Sequence, residues 1–417
     1  MAKKLSASVN DDAIANAQVE VSLDSASISS TGNSGLSAAK NAKNDEFYTQ
    51  YADIEKEMNS YLDFDKDVFK GKTILLPCDD PEWSNFTKYF AQNFEKFGLQ
   101  KLISTSYAAE SKPKDITYQP TLFETESPNF DQTKTLSKGK IFTLTRDRNG
   151  DKRVNFQDLE WEYLKGDGDF RSDEISKLRD QADIVITNPP FSLFREFLDW
   201  IVQGNKKFVI IGNMNAITYK EPFSLIKADK MWLGPSISSG DREFRVPENY
   251  PIAAAGWRID EQGQKYIRVK GVRWFTNLDH GRRHQPLPLM SERDNIRFSK
   301  HKEIKDVGYV KYENYDALEI PFTDSIPSDY AGVMGVPLSF LDKYSPDQFE
   351  IVGMCENKDL YDLKTKVYSS KECKAAYLAK FGKPGTYDLN ASGVIDRNGQ
   401  LEKVYQRILI KHKGVSS

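Results

Sequence analysis

The nine residues Asp-Ile-Val-Ile-Thr-Asn-Pro-Pro-Phe, 183–191, restrict the fold of this chain more than any other stretch. Ile184, Val185 and Ile186 form a β-branched apolar run that predicts a buried strand. Residues 192–202 carry apolar side chains at helical spacing and predict a helix. Strand, tight turn and helix, in that order, is the unit of open α/β sheets, which place their chemistry at the carboxyl ends of strands. Pro189 and Pro190 hold φ at roughly −65° and donate no N–H, so the turn is stiff. A stiff turn keeps the amide of Asn188 beside the ring of Phe191. That pairing suits a planar group with an exocyclic amine, whose lone pair is delocalised into its ring. Asn188 Oδ1 and the Pro189 carbonyl are two acceptors able to draw the amine protons out of the ring plane. Phe191 would stack on the ring. Catalysis would then be positioning and electrostatics, needing no metal and no covalent intermediate. The competing reading of these residues is a rigid surface turn. The strand and helix expected on the correct sides favour function.

The rest of the chain supplies elements for such a sheet. Residues 73–78 (Thr-Ile-Leu-Leu-Pro-Cys) read as a central strand and 101–105 as a second. Between them, Asp80 and Pro81 are placed to start a helix as N-cap and first-turn proline. Phe86, Phe90, Phe94 and Phe97 recur at helical spacing and are assigned to the core, with Gly98 as the stop. A helix is also expected over 52–62, and a buried strand over 208–212. Residues 231–233 and 272–275 are expected to pair at an edge of the sheet, with the polar loop from Ser236 to Arg242 between them. Residues 1–43 contain no aromatic side chain and are rich in Ser, Ala and Asn; they are read as a disordered tail. Residues 147–158 match a calcium loop at positions 1, 3, 5 and 9. Lys152 stands where that loop needs glycine, and Asp158 where it needs a bidentate glutamate, so a hairpin turn is expected instead.

Net charge is −3, which alone would argue against a nucleic-acid partner, but its distribution is uneven. Residues 265–311 hold twelve Lys and Arg against five acids, a local +7 that leaves −10 elsewhere. Such a segment can face phosphate. Cys78, Cys355 and Cys373 are too few and too scattered for a disulfide frame or a zinc site. His280, His284 and His301 lack metal-ligand spacing and are read as ordinary polar residues. No apolar run reaches the ~18–20 residues of a membrane span, and the first residues lack a secretory signal's apolar stretch. A reducing cytoplasm fits these features.

Three blocks carry a resemblance: Asn-Pro-Pro-Phe-Ser-Leu-Phe-Arg-Glu-Phe at 188–197, Asn-Asp-Glu-Phe-Tyr-Thr-Gln-Tyr at 44–51, and Cys-Asp-Asp-Pro at 78–81 with Ser84, Asn85 and Phe86. Together they resemble adenine-specific DNA methyltransferases of the EcoRI methyltransferase type. The resemblance implies an α/β fold: a Rossmann-like S-adenosylmethionine-dependent methyltransferase core over 44–280, followed by a C-terminal target-recognition region over 281–417. It implies methyl transfer from S-adenosyl-L-methionine to N6 of an adenine flipped out of double-stranded DNA. Asn188, Pro189, Pro190 and Phe191 would be catalytic. Phe47, Tyr48 and Thr49 would touch the cofactor. Pro77, Cys78, Asp79 and Asp80 replace the usual Gly-rich loop and would face the methionine part. Asp169 would take the cofactor's adenine amino group, with Phe170 beside the ring. Glu110 is a loosely spaced candidate for the ribose. The resemblance admits a cognate restriction endonuclease as partner, with a monomer or weak dimer as the working form. RNA adenine or protein glutamine are alternative substrates, since a planar amine or amide suits the same corner. A DNA-binding module that merely keeps the fold is an alternative of another class; the intact Asn188 and the Asp-Phe pair count against it.

Overall fold

In the computed structural model the described residues are 49–79, 84–108, 125, 127–238, 241–246 and 257–414. An eight-stranded mixed sheet organises them. Its strands are β1 (Thr73–Leu76), β2 (Lys101–Ser106), β3 (Lys140–Leu144), β4 (Glu160–Tyr163), β5 (Ile184–Thr187), β6 (Lys207–Asn213), β7 (Trp232–Leu233) and, later in the chain, one strand introduced below. A three-stranded antiparallel sheet, β8 (Arg242–Arg245), β9 (Trp257–Ile259) and β10 (Lys265–Val269), is inserted after β7. β11 (Val272–Thr276) then returns to the main sheet, whose order is β4-β3-β2-β1-β5-β6-β11-β7.

The centre of this sheet is parallel: β2, β1, β5 and β6 run together, with Leu75 opposite Ile103 on one side and Val185 on the other. All four residues of β1 and all four of β5 are buried, as expected of parallel strands covered on both faces. Alternate residues serve opposite cores. Ile74, Leu76, Ile184, Ile186, Val209 and Ile211 face helices Tyr51–Phe64 and Asn85–Gln92, and meet Ile54, Met58, Phe86 and Phe90. Leu75, Val185, Phe208 and Ile210 face helix Phe194–Gln203 through Phe194, Phe197 and Ile201.

The four phenylalanines at helical spacing are core, and Gly98 closes that segment in the left-handed conformation. The first helix starts later than expected. Its cap is Ser84, whose Oγ accepts from Phe86 N at 3.1 Å, while Asp80 and Pro81 lie outside the described residues. β7 and β11 form the expected edge pair, antiparallel, with Leu233 opposite Phe275. The segment between them is more than a loop, because it carries the β8–β10 sheet. Residues 145–159 connect the antiparallel strands β3 and β4, as a hairpin connection does. Asp147 accepts from the N–H of Gly150 and Lys152, and Asp158 from those of Arg148, Asn149 and Asn155, so these carboxylates brace the turn.

After β11 come β12 (Val310–Lys311), β13 (Leu318–Glu319), β14 (Met334–Pro337), β15 (Phe349–Met354), β16 (Val394–Arg397), β17 (Gln400–Lys403) and β18 (Arg407–His412). Five of them form a second sheet in the order β12-β13-β14-β18-β15, and β16 pairs with β17. Ile351, Met334 and Ile410 of this sheet belong to the same apolar cluster as Val185 and Phe208. Helix Lys220–Lys227 supplies Phe223 and Ile226 to that cluster, and Phe223 meets the Tyr361 ring edge-on at 5.5 Å. Polar ties add direction. Arg273 of β11 holds Asp342 at 2.9 Å with both side chains buried, and His284 lies between Asp279 and Asp347.

Candidate active site

Because β1, β2 and β5 are parallel, their carboxyl ends open on one edge of the sheet. β1 has β2 on one side and β5 on the other, so the strand order reverses its direction between β1 and β5, the switch point at which open sheets bind ligands. Asn188, Pro189 and Pro190 follow β5 directly and are buried, Asn188 to 5% exposure. Phe191 is half-buried and opens the short 3-10 turn Phe191–Leu193, which is closed by Leu193 N donating to the Pro190 carbonyl at 2.9 Å. The helix begins at Phe194, two residues later than the spacing suggests, because the 3-10 turn Phe191–Leu193 occupies its expected start.

The exit of β1 is held by hydroxyl groups from four directions. Asp79 is buried, and its carboxylate accepts from Ser84 Oγ at 2.7 Å and from Thr187 Oγ1 at 2.6 Å. The Asp79 carbonyl accepts from Ser104 Oγ of β2. With that proton committed, Thr87 Oγ1 donates to Ser104 Oγ, 3.0 Å away. Thr105 Oγ1 donates to the Pro77 carbonyl at 3.0 Å. Pro77 is buried and Cys78 is half-buried. The sequence offered no signal for this web, because Asp79 and Thr187 lie 108 residues apart.

Thr49 is buried, and its carbonyl accepts from Asn85 Nδ2 at 2.8 Å, which ties the first block to the helix after β1. Its Oγ1 is buried with no hydrogen-bond partner among the described residues. Phe47, Tyr48, Asp80 and Glu110 lie outside the described residues.

The turn 166–170 packs on the exit of β2. Gly168 has φ of +89°, and a Cβ there would stand 2.4 Å from the Ser106 carbonyl oxygen, so glycine is required. Ala108 N donates to the Asp167 carbonyl at 2.8 Å. Asp169 accepts from Arg171 N, Nε and Nη2 at 2.7–2.9 Å. Burial pushes the Asp169 carboxyl up, but the hydrogen bonds from Arg171 and Tyr107 outweigh it and hold it below the usual range. Phe170 is fully buried, edge-on to Phe197 at 5.0 Å and to Trp200 at 5.8 Å.

Buried acids escaped sequence reasoning, Glu57 among them. Glu57, on helix Tyr51–Phe64, accepts from Tyr61 Oη at 2.6 Å and from Ser236 N at 2.9 Å. Complete burial pushes its carboxyl up to about 7. It thereby joins the helix behind the first block to the loop after β7. A cavity of about 660 Å³, lined by Asn129, Arg148 and Trp161, opens at β4. It lies four strand positions from β5, ~19 Å along the hydrogen-bonding direction. Among the described residues no cluster of His, Cys, Asp or Glu could hold a metal.

Comparisons with known proteins place the chain as a whole. The family model described as adenine-specific methyltransferase EcoRI matches residues 35–413. The chain belongs to this family. It is 42% identical to the type II methyltransferase M.EcoRI of Escherichia coli over 328 residues, 79% of this chain and 91% of that protein. It is 34% identical to M.MgeORF184P of Mycoplasma genitalium and 33% to M.MpnI of Mycoplasma pneumoniae, over 79% of this chain and 90% and 89% of those proteins. No solved structure matches. As a member of the EcoRI methyltransferase family, the protein is a methyltransferase, and S-adenosylmethionine is its methyl donor.

Proposed function

We propose that the protein methylates N6 of a single adenine within a specific site of duplex DNA, at a corner made by Asn188, Pro189, Pro190 and Phe191. The observation that carries this reading is the place of Asn-Pro-Pro-Phe at the carboxyl end of a central parallel strand, next to the exit of β1. In duplex DNA the amine is inside the stack, so the adenine must be extruded, at a cost of a few kcal/mol recovered in contacts. Asn188 Oδ1 and the Pro189 carbonyl accept its two protons and localise the nitrogen lone pair. Phe191 stacks on the ring. Preorganised acceptors of this kind act where charge develops, and act more strongly away from water.

S-adenosylmethionine supplies a methyl group on a sulfonium, an electrophile that needs no further activation. The core that would hold it is, in our reading, Rossmann-like and spans 44–280. Thr49 fits that role, since its buried Oγ1 lacks a hydrogen-bond partner among the described residues. Pro77, Cys78 and Asp79 lie at the β1 exit; Asp80 joins them in the sequence block, as Phe47 and Tyr48 belong to the same block as Thr49. Asp169 remains ionised and can still accept an amino group; Phe170 packs behind it against Phe197 and Trp200.

Residues 281–417 are proposed as the target-recognition region. In support, Arg293, Arg297, Lys302 and Lys305 are exposed, and none has an ion-pair partner among the described residues. Phe298 beside them is 61% exposed, with the Arg297 guanidinium 5.0 Å from its ring centre. Unpaired cations with an open aromatic ring suit a nucleic-acid backbone. The test is sequencing, with modified-base detection, of plasmid DNA from cells expressing the wild type or Asn188→Ala. N6-methyladenine at one recurring site with the wild type only is expected. RNA or protein labelled with tritiated methyl groups while DNA stays unmodified would overturn the assignment.

A further inference from the structure

We infer that Asp79 is a positioning residue: its buried carboxylate couples the loop after β1 to the catalytic corner by holding the hydroxyl of Thr187, the residue immediately before Asn188. The inference rests on the reading of Asn188 as catalytic, and it assigns Asp79 a task other than contact with the cofactor.

The geometry is specific. One carboxylate oxygen accepts from Ser84 Oγ at 2.7 Å, the other from Thr187 Oγ1 at 2.6 Å. All three residues are at most 5% exposed. Ser84 is also the helix cap, so its oxygen accepts from Phe86 N while its proton goes to Asp79. The Asp79 main chain is pinned in turn by Ser104 of β2. Three parallel strands and a helix start therefore meet on one aspartate. A carboxylate suits this place because both its oxygens are pure acceptors facing hydroxyl donors.

The need for such a fastening follows from the loop's composition. A glycine-rich loop gains its shape from backbone conformations open to glycine. Residues 77–84 contain no glycine. Side-chain hydroxyls from Ser84, Ser104, Thr105 and Thr187 fix the described part of the loop instead. One member of that set is joined by a peptide bond to the residue that grips the target amine. The methyl donor's loop and the amine's acceptor are thereby kept in register through a single side chain. Displacements of about 1 Å at such a point cost ~10²-fold in rate.

The experiment compares Thr187→Val, Thr187→Ser and Asp79→Asn with the wild type and Asn188→Ala. Each full-length variant is checked for folding by circular dichroism. S-adenosylmethionine affinity is read by calorimetry, and kcat at saturating DNA by tritiated-methyl transfer. Thr187→Val is close to isosteric and removes only the donor. It should lower kcat by about 10–100-fold, the range expected of a misplaced acceptor, with S-adenosylmethionine affinity unchanged. Thr187→Ser, which keeps the hydroxyl, should recover most of the rate. Asp79→Asn should lower kcat similarly, and the double variant Asp79→Asn with Thr187→Val should be no slower than the worse single one. A Thr187→Val enzyme with wild-type kcat overturns the inference. So does an Asp79→Asn enzyme whose defect lies only in S-adenosylmethionine affinity. Asn188→Ala at wild-type rate would instead sink the catalytic reading itself, whatever the Thr187 variants do.

Discussion

At the scale of single residues the site is a matter of acceptors in fixed places. Asn188→Ala removes one of the two acceptors proposed for the target amine and leaves the stiff Pro189-Pro190 turn intact. Turnover should fall by at least ~10²–10³-fold, the loss seen when one preorganised polar group is deleted, with the thermal midpoint little changed. Stopped-flow or tritiated-methyl assays beside a melting curve test both halves. Phe191→Ala should weaken binding of an extruded adenine by about 1–3 kcal/mol, the worth of one base stacked on an aromatic ring. Fluorescence of 2-aminopurine at the target position would report it. Glu57 makes a different prediction. Burial raises its carboxyl from 4.5 to about 7 in the folded protein. The folded state then holds this proton more tightly than the unfolded chain does. Its contribution to stability is therefore complete below about pH 4.5 and is lost as pH rises through about 7, a swing on the order of 3 kcal/mol. Glu57→Gln should flatten the midpoint-versus-pH curve between pH 5 and 8, which a calorimetric series can measure.

At the scale of elements, packing and polar ties carry different loads. The β1, β5 and β6 strands are stabilised by alternating apolar residues on two faces, so their existence was written in composition. The seat of β11 against residues 338–343 is not of that kind. There Arg273 and Asp342 pair at 2.9 Å, 5% and 6% exposed. Burial pushes the Asp342 carboxyl up, and Arg273 counters this without cancelling it. Removing one partner strands the other. Arg273→Leu should destabilise by about 3–5 kcal/mol, while the double change Arg273→Leu with Asp342→Leu should recover most of the loss. Chemical denaturation of the three variants would show it. Helix starts illustrate the same division. Asp80 and Pro81 announced a helix, but which oxygen serves as cap depends on where the chain stands in space. Ser84 takes the role.

At the scale of the whole molecule, a net charge of −3 coexists with a cationic strip that should face DNA. Replacing Arg293, Arg297, Lys302 and Lys305 by glutamine should weaken binding to every sequence alike. It should also flatten the dependence of log affinity on log salt by roughly 0.9 for each phosphate that is no longer neutralised. Anisotropy titrations with cognate and scrambled duplexes over a range of sodium chloride would read the slope. Weakening confined to the cognate duplex would assign these residues to base recognition instead. By itself the sequence determined what local rules govern: buried strands 73–76 and 184–187, the phenylalanine stripe, the Gly98 stop, the proline-stiffened corner and the family. Apolar periodicity, backbone restriction and short motifs act over a few residues, so they can be read along the chain. Only the tertiary structure decided that Asp79 meets Thr187, that Glu57 meets Ser236, that a second sheet shares the first sheet's core, and that a three-stranded sheet fills the β7–β11 connection. Those are encounters between residues a hundred or more positions apart, or choices of strand partner, and a carboxylate's spacing along the chain says nothing about which distant hydroxyl folding will bring to it.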